Sequence, residues 1–347
     1  MNRRIGISRP EVMLITLVIF LTIGILLPWI HKMRGKSRRS FCESRQMIIG
    51  KGIFLKSVDS PFVPGYRELL SFGEGRNVDT NWVFAVLPYI HPSGTELAEE
   101  LRQKTVGDLL TSQNLEEFAN GPFAQEATRL GAEPELAVQT PTFQLPELIC
   151  PDSGKQPNDT TAQPLSFVAN CGMPDFNSEG DLPDQKNPEG PFGPPDHLAN
   201  GVFFDQTKPD QKMNLDFLYE NDGIENTLLL SENLNAGFCF DTHESSIGFV
   251  WIDSFKNGIA ARDDQALLGI NQRSGNPPSL RTARPSSNHP GGINVTFCDG
   301  STKFLNENID YIAFCHFMTS ANQGVKRPGS NDPVPPPYRL PSSPDIR

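Results

Sequence analysis

The sequence predicts an α+β protein in which a long, apolar N-terminal helix precedes a body built on an antiparallel sheet with long loops. Three observations predict this fold class. Residues 12–30 contain no charged side chain. Strand-like segments concentrate after Met213. The 347 residues include 29 Gly and 31 Pro, which is typical of a loop-rich fold and excludes a compact all-helical bundle.

Charge is distributed unevenly along the chain. The formal net charge is −11, yet residues 1–39 carry eight Lys or Arg side chains and a single acid, Glu11. The rest of the chain carries 22 basic and 40 acidic side chains. A body this acidic repels phosphate groups, so the composition excludes nucleic acid as a partner. The basic N-terminal residues are instead expected next to a membrane.

The uncharged stretch of residues 12–30 is predicted to form one membrane-spanning helix. At about 1.5 Å per residue, its length is close to the ~30 Å thickness of the hydrocarbon core. A buried core helix would show a polar face, and a secretory signal would be shorter and end at a small-residue cleavage site. Neither feature is present. We expect the helix to continue over residues 32–57, so that residues 7–57 form the membrane helix and its extension.

Residues 58–324 are predicted to form the body. Residues 81–90 are apolar and aromatic, a pattern that fits either a buried strand or a short helix. The last residues, 325–347, are rich in Pro and are predicted to be an extended tail. Strands are expected at residues 213–219, 227–231 and 247–252.

The clearest hairpin lies at residues 293–305, where apolar and polar side chains alternate up to Asp299-Gly300. Asp-Gly is a preferred pair for two-residue type I′ turns. With these two residues as the turn, Val295 is expected opposite Phe304.

The six cysteines contain no C-x-x-C pair, which argues against a ribbon-type zinc site and a thioredoxin-like motif. In a body outside the cytoplasm they would be able to form up to three disulfides. Cys150 and Cys171 enclose a polar loop of 20 residues and are the preferred pair. Cys298 and Cys315 are the second candidate pair.

No motif of a common enzyme class is present: G-x-S-x-G, the P-loop and the dinucleotide fingerprint are all missing. A hydrolase would also need a clustered acid/base pair, so we predict a protein that is not an enzyme and needs no cofactor. His289 and Asp299 are candidates for a metal site. A single His without a second His or Cys at ligand spacing is weak evidence for zinc, so we predict no metal. The adjacent Pro290-Gly291-Gly292 and Gly300 favour structural turns.

Residues 1–11 combine basic side chains, a Gly, an apolar residue and then a Glu. This order resembles the leader of type IV prepilins and pseudopilins, in which a membrane prepilin peptidase cuts after the Gly and methylates the new N-terminus. The resemblance implies a leader of residues 1–6, cleaved between Gly6 and Ile7. It also implies that Glu11 pairs with the N-terminal amine of a neighbouring subunit, since a lone carboxylate in an apolar helix is costly in lipid. Arg9-Pro10 stand where the family has apolar residues.

The body resembles a family of prepilin-like proteins that is abundant in planctomycetes and has no known function. His289, nine further residues and then Asp299-Gly300 form the H-x9-DG element of that family. The similarity spans nearly all of residues 6–324. Other landmarks follow in the family's order: Arg38-Arg39 before Cys42, Trp82 before Leu87-Pro88-Tyr89, Cys150-Pro151-Asp152, Asn226-Thr227 before Leu230-Ser231-Glu232, and the closing segment 312–324.

These resemblances imply a pseudopilin-like fold held in the inner (cytoplasmic) membrane by a single pass, with the body in the periplasm or at the cell exterior. Charge counting alone predicts the opposite orientation, because three basic residues precede the span and five follow it. The implied role is structural, in association with pseudopilins or other subunits of a type II secretion or pilus-like assembly. The alternative is an extracytoplasmic module that binds a solute or a cation and uses the leader as an anchor.

Overall fold

A computed structural model describes the following parts of the chain: residues 9–71, 77–91, 145–155, 163–174, 196–207, 211–239, 241–252, 269–271, 283–326, 328, 331 and 333–334.

The first element is α1, a single helix of 51 residues that spans Arg9–Asp59. It confirms the predicted continuation of the apolar segment through residues 32–57. Its second half has one buried face, with side chains spaced three or four residues apart at Cys42, Gln46, Ile49 and Ile53. In its first half, the large apolar side chains that are described are exposed. Over the described part of the chain, no helix is both long enough and apolar enough to cross a membrane.

A five-stranded sheet forms the centre of the body. Its strands are β3 (Phe167–Asn170), β4 (Leu228–Glu232), β5 (Gly248–Phe249), β6 (Gly292–Phe297) and β7 (Thr302–Asn306), in the order β5-β3-β4-β6-β7. Three of the four pairings are antiparallel, whereas β3 and β5 run parallel. The expectation of an antiparallel sheet was therefore wrong at this edge, because the connection from β4 to β5 passes β3 and places β5 on the far side of β3, parallel to it.

Shorter elements surround the sheet. The strands β1 (Glu68–Ser71) and β2 (Asn77–Thr80) form a separate antiparallel pair. The apolar residues 81–90, for which strand and helix were both considered, form the helix α2 (Trp82–Ile90). The remaining described α-helices are α3 (Leu215–Glu220), α4 (Glu244–Ile247) and α5 (Tyr311–Met318), and the described 3₁₀ helices are Pro146–Leu148, Leu198–Asn200 and Asn322–Gly324.

The strand predicted at residues 213–219 was wrong, because α3 occupies that position. Asn214 starts the helix as its N-cap, and its side-chain oxygen accepts a hydrogen bond from the Phe217 backbone N–H at 2.7 Å. An Asn in this position satisfies a backbone donor that a helix would otherwise leave unpaired. The capping residue, rather than the short apolar run, therefore decides the local structure. The other two predicted strands are present, at β4 and, over two residues, at β5.

The 293–305 hairpin is confirmed, but its register differs from the prediction by one residue. Val295 lies opposite Lys303, and Phe304 lies opposite Asn294. The predicted type I′ turn needs a positive φ at two residues. Only Gly300 (φ +79°) has one in this turn, so Cys298, Asp299 and Gly300 form a three-residue loop instead. That extra residue shifts each partner of β6 by one position along β7.

α1 packs across the sheet through its second half, next to β6 and β4. The cation of Arg39 stacks on the ring of Phe304 at 3.9 Å, which brings α1 to the edge strand β7. α2 lies against α1 and adds the buried ring of Trp82 to the core. This arrangement places the start of the buried face of α1, at Cys42, directly over the ends of β4 and β6.

Candidate functional site

A disulfide between Cys42 and Cys150 joins α1 to the segment that follows the 3₁₀ helix Pro146–Leu148. The two residues are 108 positions apart, and both are buried. Arg45, one turn further along α1, donates a hydrogen bond to the Ile149 carbonyl at 2.5 Å. That contact holds the backbone next to Cys150 against α1.

Both predicted cysteine pairs were wrong. Cys150 is bonded to Cys42, so it is not available to Cys171, whose sulfur instead lies against Gly248. Cys298 and Cys315 are separate, buried thiols. Closeness in sequence suggested the pair Cys150 and Cys171, but the packing of α1 on the sheet decides which sulfurs meet.

The imidazole of His289 lies beside this disulfide. Its Nε2 is 3.0 Å from Glu232 Oε1 and 3.6 Å from Cys150 Sγ. On the other side of the ring, Nδ1 is 3.2 Å from Asp152 Oδ2, a distance that allows an ion pair although the alignment misses that of a hydrogen bond. We call Cys42, Cys150, Asp152, Glu232 and His289 the disulfide–histidine cluster.

The pKa of His289 is raised above its ordinary value. Burial of the ring works against protonation and is the largest single influence. The hydrogen bond and the negative charge of Glu232, together with the charge of Asp152, outweigh it, although Arg39 opposes them. In the oxidised cluster the two carboxylates therefore favour protonation of the ring more strongly than its burial disfavours it.

Local chemistry explains how the sequence places His289. The Ser287 hydroxyl accepts a hydrogen bond from the His289 backbone N–H at 3.0 Å and donates one to the Gly292 carbonyl at 2.8 Å. Gly291 has a positive φ of +84°. A Cβ on Gly292 would come within 2.0 Å of the Leu305 carbonyl oxygen, so only Gly allows β7 to approach here. The Pro-Gly-Gly segment is thus a turn that fixes His289 at the start of β6.

Glu232 is the last residue of β4 and is buried. Its Oε2 accepts a hydrogen bond from the Asn294 backbone N–H at 2.8 Å, and its Oε1 accepts one from Asn294 Nδ2 at 3.2 Å. Burial of a carboxylate is costly unless it is paired. The hydrogen bonds from Asn294 and the contact with His289 Nε2 provide that pairing. Asp152 is held in turn by Arg38, at 3.0 Å.

Asp299 and Gly300 lie away from the cluster. They follow β6, whereas His289 precedes it, so a strand roughly 20 Å long separates them. The idea that His289 and Asp299 bind one metal ion was therefore wrong. Asp299 Oδ1 instead accepts a hydrogen bond from the Ser301 backbone N–H at 2.8 Å, which supports the predicted structural role in the turn.

The predicted leader residues Gly6 and Ile7 lie outside the described residues, as does the side chain of Glu11. Cleavage, methylation and assembly at these positions stay predictions.

Sequence reasoning missed Cys42, Asp152 and Glu232 as partners of His289. Each is separated from it by long stretches of chain, so no spacing connects them. Cys42 and Cys150-Pro151-Asp152 do belong to the landmarks that the family resemblance picks out, and Glu232 ends another of them. That shared membership is the signal that would have grouped them.

The fold and the site define a mixed α+β body and a long N-terminal helix, and the Cys42–Cys150 disulfide ties the packed half of that helix to the body. The chain belongs to the family described as protein of unknown function (DUF1559), whose model, SBP_bac_10, matches residues 32–311. The match includes every member of the disulfide–histidine cluster and begins after residues 1–31. No curated protein and no solved structure matches the chain.

Proposed function

We propose that this chain is a membrane-attached, pseudopilin-like structural subunit. The single observation that carries the proposal is the division of α1 into two halves. Between Val12 and Leu27 the described large apolar side chains are exposed, with Met13 and Phe20 each 74 % accessible. From Cys42 onward, one face of the same helix is buried against the body.

An exposed apolar surface of this size needs a partner that removes it from water. The exposed side chains include consecutive positions such as Met13, Leu14 and Ile15, so they surround the helix instead of forming one stripe. A single flat protein surface would cover only one side of such a helix. Lipid, or the equivalent helices of several other subunits, would cover all of it.

The disulfide supports a body outside the cytoplasm. Stable disulfides form in oxidising compartments such as the periplasm or the cell exterior, and they are rare in the cytosol. The disulfide joins Cys150 to Cys42, and Cys42 lies on the packed half of α1, beyond its exposed apolar half. An inner-membrane anchor with an external body is consistent with both features.

The proposed partners are prepilin peptidase, the membrane and other pseudopilin or secretion-system subunits. Peptidase would cut between Gly6 and Ile7, and Glu11 would guide assembly of the processed chain. The role would be mechanical, without catalysis. The alternative, an external module that binds a solute or cation, shares the same anchor but does not require assembly.

The first test is mass spectrometry of the intact protein from native membranes that have been washed with alkaline carbonate. We expect a chain that remains with the membrane pellet, starts at Ile7 and carries one extra methyl group. A chain that still starts at Met1, or that the wash releases, would contradict the processed, anchored state.

The second test separates assembly from simple anchoring. Glu11→Gln removes the carboxylate from the apolar half of α1, and Glu43→Gln on the packed half of the same helix is the matched control. In-cell chemical crosslinking should give a ladder of subunits for the native chain and for Glu43→Gln, but not for Glu11→Gln. An unchanged ladder with Glu11→Gln would contradict the assembly role, and absence of a ladder from the native chain would favour the binding module.

A further inference from the structure

The disulfide–histidine cluster holds four metal-binding side chains at one point in the body. Cys42 Sγ, Cys150 Sγ, a carboxylate oxygen of Glu232 and a ring nitrogen of His289 all lie within 4.8 Å of one another, and all four residues are buried. These donors come from α1, from the segment after residues 146–148, from β4 and from the loop before β6. The fold therefore gathers them from four distant parts of the chain.

We propose that reduction of the Cys42–Cys150 disulfide converts this cluster into a tetrahedral site for a Zn²⁺-like transition-metal ion. The ligands are Cys42 Sγ, Cys150 Sγ, His289 Nε2 and Glu232 Oε1. This inference is independent of the assembly role proposed above, because it concerns the body and not the exposed half of α1.

The distances between these atoms approach those of such a site. Zn²⁺ binds sulfur at about 2.3 Å and nitrogen or oxygen at about 2.0–2.2 Å, so ligand atoms in a tetrahedron are about 3.3–3.8 Å apart. His289 Nε2 is 3.6 Å from Cys150 Sγ, which lies within this range, and 3.0 Å from Glu232 Oε1, which is slightly shorter. The two sulfurs, bonded to each other in the oxidised protein, have to separate to about 3.8 Å. The proposal assigns this separation to rotation of the two cysteine side chains.

The surroundings of the ligands are those of a metal site. The second ring nitrogen of His289 lies 3.2 Å from Asp152 Oδ2, although the two atoms are not aligned as a hydrogen bond. Many zinc-bound imidazoles are oriented by a carboxylate on this side of the ring. Glu232 Oε2 is occupied by the Asn294 backbone N–H at 2.8 Å, which points Oε1 towards His289. Asn294 Nδ2 also reaches Oε1, at 3.2 Å, and a metal ion would displace that weaker contact.

A structural disulfide alone does not account for these neighbours. The bond between Cys42 and Cys150 would hold α1 in place without an imidazole in contact with the sulfur. Buried histidine and carboxylate groups are costly, and well-packed apolar side chains would serve a purely structural junction at least as well. Cysteine sulfur, imidazole nitrogen and carboxylate oxygen are all donors that bind Zn²⁺.

The chemistry balances with a dithiol as the reductant. Two electrons and two protons pass from the dithiol to the disulfide, which yields two cysteine thiols and leaves the reductant as a disulfide. Binding of the ion then releases both thiol protons and any proton on His289 Nε2. The same two sulfurs either bond to each other or bind the metal, so the oxidised and metal-bound forms exclude each other.

The test uses the full chain, purified in detergent, with Co²⁺ as a coloured substitute for Zn²⁺. The protein is reduced with a dithiol, freed of reductant and metal without exposure to oxygen, and titrated with Co²⁺. We expect one Co²⁺ per chain, with the strong ligand-field absorption of a tetrahedral ion and a sulfur-to-cobalt charge-transfer band. Zn²⁺ should remove both signals. The oxidised protein should show neither.

Variants locate the site. His289→Gln should weaken Co²⁺ binding at least tenfold and shift the ligand-field bands, whereas His316→Gln, outside the cluster, should leave them unchanged. Combined replacement Cys42→Ser and Cys150→Ser should abolish the charge-transfer band, and Cys298→Ser should preserve it. Bands that survive the double replacement would place the metal elsewhere and overturn the proposal.

Near-UV circular dichroism is recorded on every sample, so that a reduced protein that unfolds still tests whether the cluster binds a metal ion. If the reduced, metal-free protein unfolds, addition of Zn²⁺ should restore its native signal, since metal affinity adds to the free energy of folding. A reduced protein that stays folded without binding Co²⁺, or that Zn²⁺ does not refold, would overturn the proposal.

Discussion

His289 Nε2 lies 3.0 Å from Glu232 Oε1, and both side chains are buried where α1 crosses the ends of β4 and β6. The contact ties the turn before β6 to the last residue of β4. Asp152 faces the other side of the ring, and Arg38 in turn holds Asp152. This one histidine therefore connects the sheet, the segment after residue 150 and, through Arg38, helix α1.

We expect the stability of the oxidised protein to fall as the pH rises above about 6.5, the ordinary value for histidine. The pKa of His289 is raised in the folded state, because Glu232 and Asp152 outweigh the effect of burial and of Arg39. The folded protein thus binds the extra proton more tightly than the unfolded chain does. The resulting stabilisation is complete below pH 6.5 and is lost as the pH rises through the raised pKa.

Denaturant unfolding from pH 6 to pH 9 measures this effect, and each unit of pKa displacement corresponds to about 1.4 kcal/mol. His289→Gln should flatten the decline above pH 6.5. His316→Gln is the matched control. Burial lowers the pKa of His316, so this group affects stability only at pH values below about 6.5. The decline in stability above pH 6.5 should therefore remain in His316→Gln. An equally steep decline in His289→Gln would show that another group is responsible.

Removal of the disulfide should cost the body about 4.8 kcal/mol of unfolding free energy by the chain-entropy relation. The link between Cys42 and Cys150 closes a segment of 108 residues, and the loss of chain entropy in the unfolded state grows with that length. The double replacement by Ser and dithiol reduction of the native chain, both measured by denaturant unfolding in a metal chelator, should give similar losses. A loss below about 1 kcal/mol would contradict the view that the link restrains α1 on the sheet.

The sequence was informative where a local pattern decides the structure. The apolar run and its continuation predicted α1, and alternation around Asp299-Gly300 predicted the β6–β7 hairpin. The hairpin register was missed by one residue, because the number of residues in a turn depends on a backbone angle at Asp299 that its residue type does not fix. Local spacing was enough to find these elements but not their exact pairing.

The candidate site was beyond local patterns. Glu232 follows Ser231 at the end of β4, and this pair of polar residues is equally typical of an exposed strand end. Only the contact of Glu232 with His289, 57 residues later, marks it as a member of the cluster. The pairing of Cys42 with Cys150 follows from how α1 lies on the sheet. Long-range packing therefore determines the site, and a single sequence does not display such packing.

The turn of the H-x9-DG element should tolerate change at Asp299 better than at Gly300. Gly300 has a φ of +79°, where an added Cβ is strained, so Gly300→Ala should lower the unfolding free energy by about 1 kcal/mol. Asp299→Asn keeps the oxygen that accepts the Ser301 N–H and should change it by less than about 0.5 kcal/mol. Thermal or denaturant unfolding of both variants tests this, and a larger loss for Asp299→Asn would indicate a role of the carboxylate beyond the turn.

The close contact between α1 and α2 should cancel or reverse the stabilisation that Ala in place of Gly52 would otherwise give the helix. A Cβ built on Gly52 would lie 2.3 Å from Ile90 Cγ2, a distance that forces the helices apart or the side chain out of place. Ala favours helix over Gly by about 1 kcal/mol, but overpacking in a core typically costs about 1–3 kcal/mol. Gly52→Ala should therefore be neutral to destabilising in denaturant unfolding.

Gly35→Ala is the matched control on the same helix, because nothing lies within 4 Å of its Cβ position, and it should stabilise α1. If Gly52→Ala stabilises the protein as much as Gly35→Ala does, α1 and α2 do not pack as closely as described.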